Sequence, residues 1–268
     1  MHAVVFFLVA WPGLAFSQPV HQSAEGARLE IGLPCAKDIA VVADPALSGR
    51  VVMDATAEHP EELAHMEFVG GDSVRLKLRG WFHMAGGSLL SLHGDCWRPH
   101  DQENFDPTLR IRLSVPSGFA LAVDASGDGT YHLAAGGALT LDMSGSARVE
   151  ATSLTRLDLS LSGSGDVKVA QVAGPVHADM SGSGDVEIAQ VTAADMAVEQ
   201  SGSSTFRVGG GTVGKLTVDS SGSGDVILHG TAGDTVVESS GSGQIEIARV
   251  TGRLVDDATG SGAVKIGK

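Results

Sequence analysis

Aromatic residues are scarce in this 268-residue chain, at 4% of positions with a single tyrosine, so any interior must be filled by aliphatic side chains. Cysteine is scarcer still: two residues, Cys35 and Cys96, allow at most one internal disulfide. No apolar run is long enough to cross a bilayer as a helix, which argues against a membrane anchor. Basic residues are few, 18 against 32 acids, and they form no cluster; the formal net charge is −14. Such a surface repels nucleic acid and anionic membranes, so neither is expected as a partner.

Glycine, by contrast, is abundant at 36 residues, and much of it falls in one motif. A tetrad of the form Ser-Gly-Ser-Gly begins at Ser126, Ser144, Ser162, Ser181, Ser201, Ser221, Ser240 and Thr259, with gaps of 18, 18, 19, 20, 20, 19 and 19 residues. Self-similarity at that period is the mark of a solenoid. Five and three residues before each tetrad stand two columns that are apolar except at Thr235 and Asp256: Leu121 to Leu254, and Val123 to Val237. Five and seven residues after its first position stand two more, from Tyr131 and Leu133 to Val264 and Ile266. Residues two apart share a face of a strand, so each repeat holds two short strands with one face inward. Their neighbours Glu187 and Ile227 should then face out. A flexible Gly/Ser linker is the alternative, but a linker has no reason to keep four apolar columns in register.

One repeat cannot bury its own apolar face and must stack on the next. The expected fold is therefore all-β: a single-stranded parallel β-helix of about eight coils, right-handed because the drifting repeat lacks the six-residue beat of left-handed hexapeptide helices. At about 4.8 Å per coil the rod would be roughly 35 to 40 Å long. The tetrad is the corner. Its second position is glycine in every repeat, at Gly127, Gly145, Gly163, Gly182, Gly202, Gly222, Gly241 and Gly260, as expected if the turn needs positive φ.

Residues 1–17 read as an export signal: Val4 to Val9 form the apolar run, Pro12 and Gly13 break it, and Ala15-Phe16-Ser17 offers small residues for cleavage. No cysteine follows directly, so a lipid anchor is not expected. Residues 18–115 carry scattered strand patterns, such as Ser73 to Leu78 and Leu109 to Leu113, and a possible helical turn between Glu58 and Met66. They should form an irregular β cap leading through Val115-Pro116 into the repeat region, residues 116–268. Both cysteines fall in this cap, and in an exported chain the default is one disulfide, Cys35 to Cys96. The segment around Cys96 also gathers His93, Asp95, His100 and Asp101, which are zinc-ligand types, but without metal-site spacing. The polar stretch from His93 to Pro107, with Trp97 and Phe105, is the first part of the cap to inspect for binding.

The repeats Ser162 to Val167, Ser181 to Val186 and Ser221 to Val226, with the lead-in Leu113 to Gly118, resemble the bacterial family of auto-transporter adhesins with a head GIN domain. The likeness extends over roughly Ala27 to Lys268 and departs from the pattern at Gly127-Asp128, Ser203-Ser204 and Gly243-Gln244. It implies a β-helical fold and an adhesin-like function, and brings no catalytic residue and no cofactor.

Enzymes built on β-helices need clustered carboxylates in a cleft that stacks sugars on aromatics. From Pro116 onward the aromatics are Phe119, Tyr131 and Phe206, and the repeat never exceeds 20 residues, leaving no long loop to wall a cleft. A non-enzymatic reading follows: an exported adhesin-like module that contacts a macromolecule at the cell envelope or surface, or else a periplasmic structural or regulatory component. One more column stands out. Two residues before the tetrads lie Asp124, Asp142, Ser160, Asp179, Glu199, Asp219, Glu238 and Asp257. Carboxylates about 5 Å apart repel by about 1 kcal/mol in water, which calcium could relieve; the plainer reading is a solvated acidic face.

Overall fold

The computed structural model describes residues 19–33, 36–58, 60–64, 66–78 and 108–267. The export signal, both cysteines with their expected disulfide, and the His93 to Pro107 segment lie outside the described residues. Within them nearly all structure is strand. The N-terminal part contributes β1 (Val20–Glu25), β2 (Arg28–Gly32), β3 (Asp38–Ala43), β4 (Arg50–Thr56), a short helix α1 (Pro60–Ala64), β5 (Met66–Val69), β6 (Val74–Leu78) and β7 (Arg110–Val115). The repeats contribute β8 (Phe119–Asp124), β9 (Thr130–Ala134), β10 (Gly136–Met143), β11 (Arg148–Leu154), β12 (Arg156–Leu161), β13 (Asp166–Val172) and β14 (Val176–Met180). They continue with β15 (Val186–Gln200), β16 (Phe206–Val208), β17 (Gly211–Ser220), β18 (Val226–Ser239), β19 (Gln244–Val250), β20 (Leu254–Ala258) and β21 (Ala263–Ile266).

The repeats stack as parallel coils of a β-solenoid of about eight turns. Equivalent column positions are direct partners: Leu121 with Leu139, Leu139 with Leu157, Leu157 with Val176, Val176 with Met196, and so on to Thr235 with Leu254. On the other strand Tyr131 meets Val149, Val149 meets Val167, Val167 meets Val186 and Val186 meets Phe206. Between Leu121 and Ile247 no member of the four columns is more than 5% exposed. Each buried aliphatic side chain contributes roughly 1.5–3 kcal/mol by leaving water, and this repeated burial holds the coils together.

The coil has a third side. Along β15 the buried positions fall in three groups, Val186 and Ile188, Val191 and Ala193, then Met196, Val198 and Gln200, separated by pairs of exposed residues where the strand bends. Leu154, Val172 and Val191 line this side in register. A further inward column stands immediately before the tetrads: Ala125, Met143, Leu161, Met180, Gln200, Ser220 and Ser239 are all buried. It turns polar halfway along, where Gln200 and Ser220 bond each other. Ser220 Oγ donates to Gln200 Oε1 at 3.1 Å, and Gln200 Nε2 donates to the Ser204 carbonyl.

The N-terminal strands extend the same columns. β2 lies between β6 and β8, parallel to both, so that Leu29 joins Val74 to Leu121 and Ile31 joins Leu76 to Val123. β3 lies likewise between β7 and β9, with Ile39 and Val41 between Ile111 and Leu113 on one side and Tyr131 and Leu133 on the other. The coil formed by β2 and β3 is thus inserted between a level made of later residues, β6 and β7, and the first repeat. Antiparallel strands then seal this end: β4 pairs with β7, β5 with β6, and β1 with β4. In α1 the buried Glu62 carboxylate accepts from Thr108 N at 3.1 Å, Leu109 N at 3.0 Å and Thr108 Oγ1 at 2.6 Å, fixing the lead into β7.

Candidate functional site

The tetrads do form the corners, at one edge of the rod, but not for the reason of backbone handedness. Among the described residues positive φ occurs at Gly49, Gly71, Gly118, Gly136 and Gly211, and none of these lies in a tetrad. The corner glycines are required by close stacking. A Cβ at Gly145, Gly163, Gly182, Gly202, Gly222, Gly241 or Gly260 would come within 3.0 Å of the carbonyl oxygen of the equivalent glycine one coil earlier. Gly127, in the first tetrad, is the first of these oxygens. From the second to the seventh tetrad the close approach lets the third-position amide bond that same oxygen, as Ser164 N does to Gly145 O at 3.0 Å and Ser183 N to Gly163 O at 2.9 Å.

From the second tetrad on, the hydroxyl residues on either side of these glycines are exposed, so the edge carries two files of hydroxyls. Ser242 Oγ and Ser261 Oγ are 3.1 Å apart, and Ser162 Oγ donates to the Met143 carbonyl at 3.4 Å. The aspartate that follows some tetrads has a structural use. Asp225 Oδ1 accepts from Gln244 N at 2.8 Å and Asp185 Oδ1 from Thr205 N at 3.2 Å, so each carboxylate ties its coil to the next.

Beside the hydroxyl files runs the acidic file. Asp124 and Asp142, Asp179 and Glu199, Glu199 and Asp219, Asp219 and Glu238, and Glu238 and Asp257 are register neighbours. All are exposed except the half-buried Asp124. The carboxylates succeed one another along the rod rather than converging. Among the described residues no group of three or more His, Cys, Asp or Glu side chains is placed to hold a metal ion.

The opposite strand of each coil presents a file of alternating charge. His132, Glu150, Lys168, Glu187 and Arg207 follow in register on β9, β11, β13, β15 and β16, with His132 Nδ1 3.3 Å from Glu150 Oε2. Next to them Ala134, Thr152, Ala170 and Ala189 floor an open depression of about 490 Å³. A second depression of about 230 Å³ on the other outer face is lined by Arg156, Asp158, His177, Asp195 and Lys215. Ile227 belongs to the charged file by register, between Arg207 and Glu246, yet is only 8% exposed. The outward environment expected for it does not hold, since the long stems of its two neighbours are suited to cover an apolar side chain between them.

Tyr131, the chain's one tyrosine, is part of the core and its hydroxyl donates to the Leu33 carbonyl at 3.3 Å. Burial first, then the charges of Asp124 and Asp128, push its phenol above the ordinary range. No helix among the described residues is long and apolar enough to cross a membrane.

A rod of in-register coils with sealed N-terminal strands and broad polar faces belongs to the class of β-solenoids. The family model described as "Putative auto-transporter adhesin, head GIN domain" matches residues 90–232, more than half of the chain, and the chain belongs to that family. No curated protein matches it in sequence. Among solved structures it is similar to a putative adhesin from Parabacteroides distasonis, with 15% identity, TM-score 0.65, and coverage of 94% of this chain and 98% of the other. A putative lipid binding protein from the same organism aligns at 12% identity, TM-score 0.59, covering 93% and 97%. At these identities the likeness is one of fold.

Proposed function

We propose that this chain is an exported, non-enzymatic binding module that meets a macromolecular partner with the outer faces of its rod. One observation carries the reading: the side chains that face solvent form continuous files over four or more coils, while the depressions between them are open and shallow. Small molecules are held by concave pockets that enclose most of their surface. A rigid, flat face with charges repeated at about 4.8 Å suits an extended partner that can contact many coils at once. The adhesin family supports the same reading, and the signal-like residues 1–17 support export.

Surface proteolysis of intact cells, alongside fractionation, tests it. The adhesin-like reading requires the chain to be cleaved from outside; a pool protected until the outer envelope is opened would instead make it a periplasmic structural or regulatory component. For binding itself, replacing Lys168 and Arg207 by Gln, which removes their positive charge without adding carboxylates beside Glu150 and Glu187, should weaken retention on the partner surface with little change in melting temperature. Unchanged retention would remove this face from the interface.

A further inference from the structure

One outer face carries charges that change sign about its own middle. β11 and β13 lie side by side, with Arg148 in register with Asp166, Glu150 with Lys168 and Thr152 with Ala170. One coil further out, β9 brings His132 and Ala134 on one side and β15 brings Glu187 and Ala189 on the other. Arg148 Nη2 lies 3.5 Å from Asp166 Oδ2 and His132 Nδ1 3.3 Å from Glu150 Oε2, yet these four side chains keep between 41% and 59% of their surface exposed. Their contacts within the chain therefore leave them open to a partner.

Turned about a twofold axis that runs along the strands midway between β11 and β13, this face meets its own complement. Arg148 then faces Asp166 of the second copy, Glu150 faces Lys168 and His132 faces Glu187, and each pair occurs twice. The small side chains meet small ones, Thr152 with Ala170 and Ala134 with Ala189. Other placements of the axis lose the match. On β13 it would set Lys168 against Lys168 and Glu150 against Glu187; on β11 it would set Arg148 and Glu150 each against itself; between β13 and β15 it would set Asp166 against Asp185.

We propose that the face built by β9, β11, β13 and β15 is a self-association surface whose occupant is the same face of a second copy, with the two rods antiparallel. The inference names a partner for the charged face and rests on the proposed binding function. The floor of Ala134, Thr152, Ala170 and Ala189 puts no bulk between the copies. Sheets stacked face to face lie about 10 Å apart, a gap that an Arg–Asp or Lys–Glu pair spans. Charge complementarity of this kind fixes register and excludes wrong partners more than it adds affinity. Ion pairs on an open face are individually weak and are screened by salt, so the pairing depends on concentration and ionic strength.

The test follows the 268-residue chain by sedimentation velocity at low salt and rising concentration. The parent should pass from monomer to dimer mass, and added salt should return it to monomer. Glu150→Lys and Lys168→Glu should each stay at monomer mass where the parent is paired, because each sets like charges across the axis. An equimolar mixture of the two should pair again, since one variant then brings only positive side chains to positions 150 and 168 and the other only negative ones. Should circular dichroism show either reversal unfolded, Lys168→Gln, which adds no charge, is read in its place and should lower the dimer fraction. A parent at monomer mass up to its solubility limit would overturn the proposal, as would reversals or Lys168→Gln that pair as the parent does, or a folded mixture that stays monomeric. Retention on a partner surface by a parent that never pairs would remove the second copy alone and leave the proposed function standing.

Discussion

Replacing Gly182 by alanine tests the stacking account of the corners most sharply. A Cβ there would come within 3.0 Å of Gly163 O, Ser162 C and Ser162 O. All three are backbone atoms, so no rotamer relieves the clash and the coils must part. Parting loosens three bonds, Ser181 N to Leu161 O at 2.8 Å, Gly182 N to Leu161 O at 3.2 Å and Ser183 N to Gly163 O at 2.9 Å. Overpacking costs about 1–3 kcal/mol and each weakened bond up to about 0.5–1.5 kcal/mol, so the expected loss is about 3 kcal/mol. Gly118 is the control for backbone conformation alone, with φ +74° and no atom within 4 Å of the place a Cβ would take; alanine there should cost about 1–2 kcal/mol. Ser183→Ala, at an exposed hydroxyl, should stay within about 0.5 kcal/mol. Urea melts followed by far-ultraviolet circular dichroism give the three values on one scale. If Gly182→Ala cost no more than Gly118→Ala, the corner glycines would not be there to let coils approach.

The columns were legible because eight repeats present the same seat eight times, so an occasional Thr235 does not hide it. The use of glycine was not, because one residue type answers two needs. Positive φ and the absence of a Cβ at a close contact leave the same letter in the sequence, and only the backbone angles separate them. The third side was hidden for a different reason. One seat holds Leu154, Val172 and Val191 and then Gly211, while the seat two residues on becomes apolar only from Ala193 through Val213 and Ala232 to Val250, so neither column runs the length of the repeats. The column before the tetrads begins legibly with Ala125, Met143, Leu161 and Met180 and is then masked by the polar Gln200, Ser220 and Ser239, of which Gln200 and Ser220 bond each other. The placement of β2 and β3 between levels formed by later residues is a long-range pairing, and alternation within a strand reports its buried face but not its neighbour. Of the outer files, the acidic one was legible as a column, whereas the alternating file from His132 to Arg207 needed the coils aligned on β9 to β16 before its charges could be seen together.

Val186→Asp, at 1% exposure, should cost several kcal/mol, while Glu187→Thr one residue on should cost about 0.5 kcal/mol; equal shifts in melting temperature would contradict the assigned faces. Glu62→Ala should cost about 3 kcal/mol by leaving the Thr108 and Leu109 amides without their acceptor, and an unchanged melting temperature would show that the lead into β7 does not depend on it. The last expectation concerns Tyr131, which as the only tyrosine gives an unmixed signal in an absorbance titration. Its folded-state pKa is raised by burial and by Asp124 and Asp128, so the native state holds the phenolic proton where the unfolded chain has released it. The native state then binds more protons above the unfolded pKa of about 10, and stability must fall as pH rises through and beyond that value. Phenolate absorbance should therefore appear together with the loss of circular dichroism, not before it. Tyr131→Phe should remove this share of the alkaline sensitivity at a cost near neutrality of about 1 kcal/mol, the value of the bond to Leu33. A phenol that ionises near pH 10 in a chain still fully folded would place Tyr131 in contact with water and refute its seat in the column.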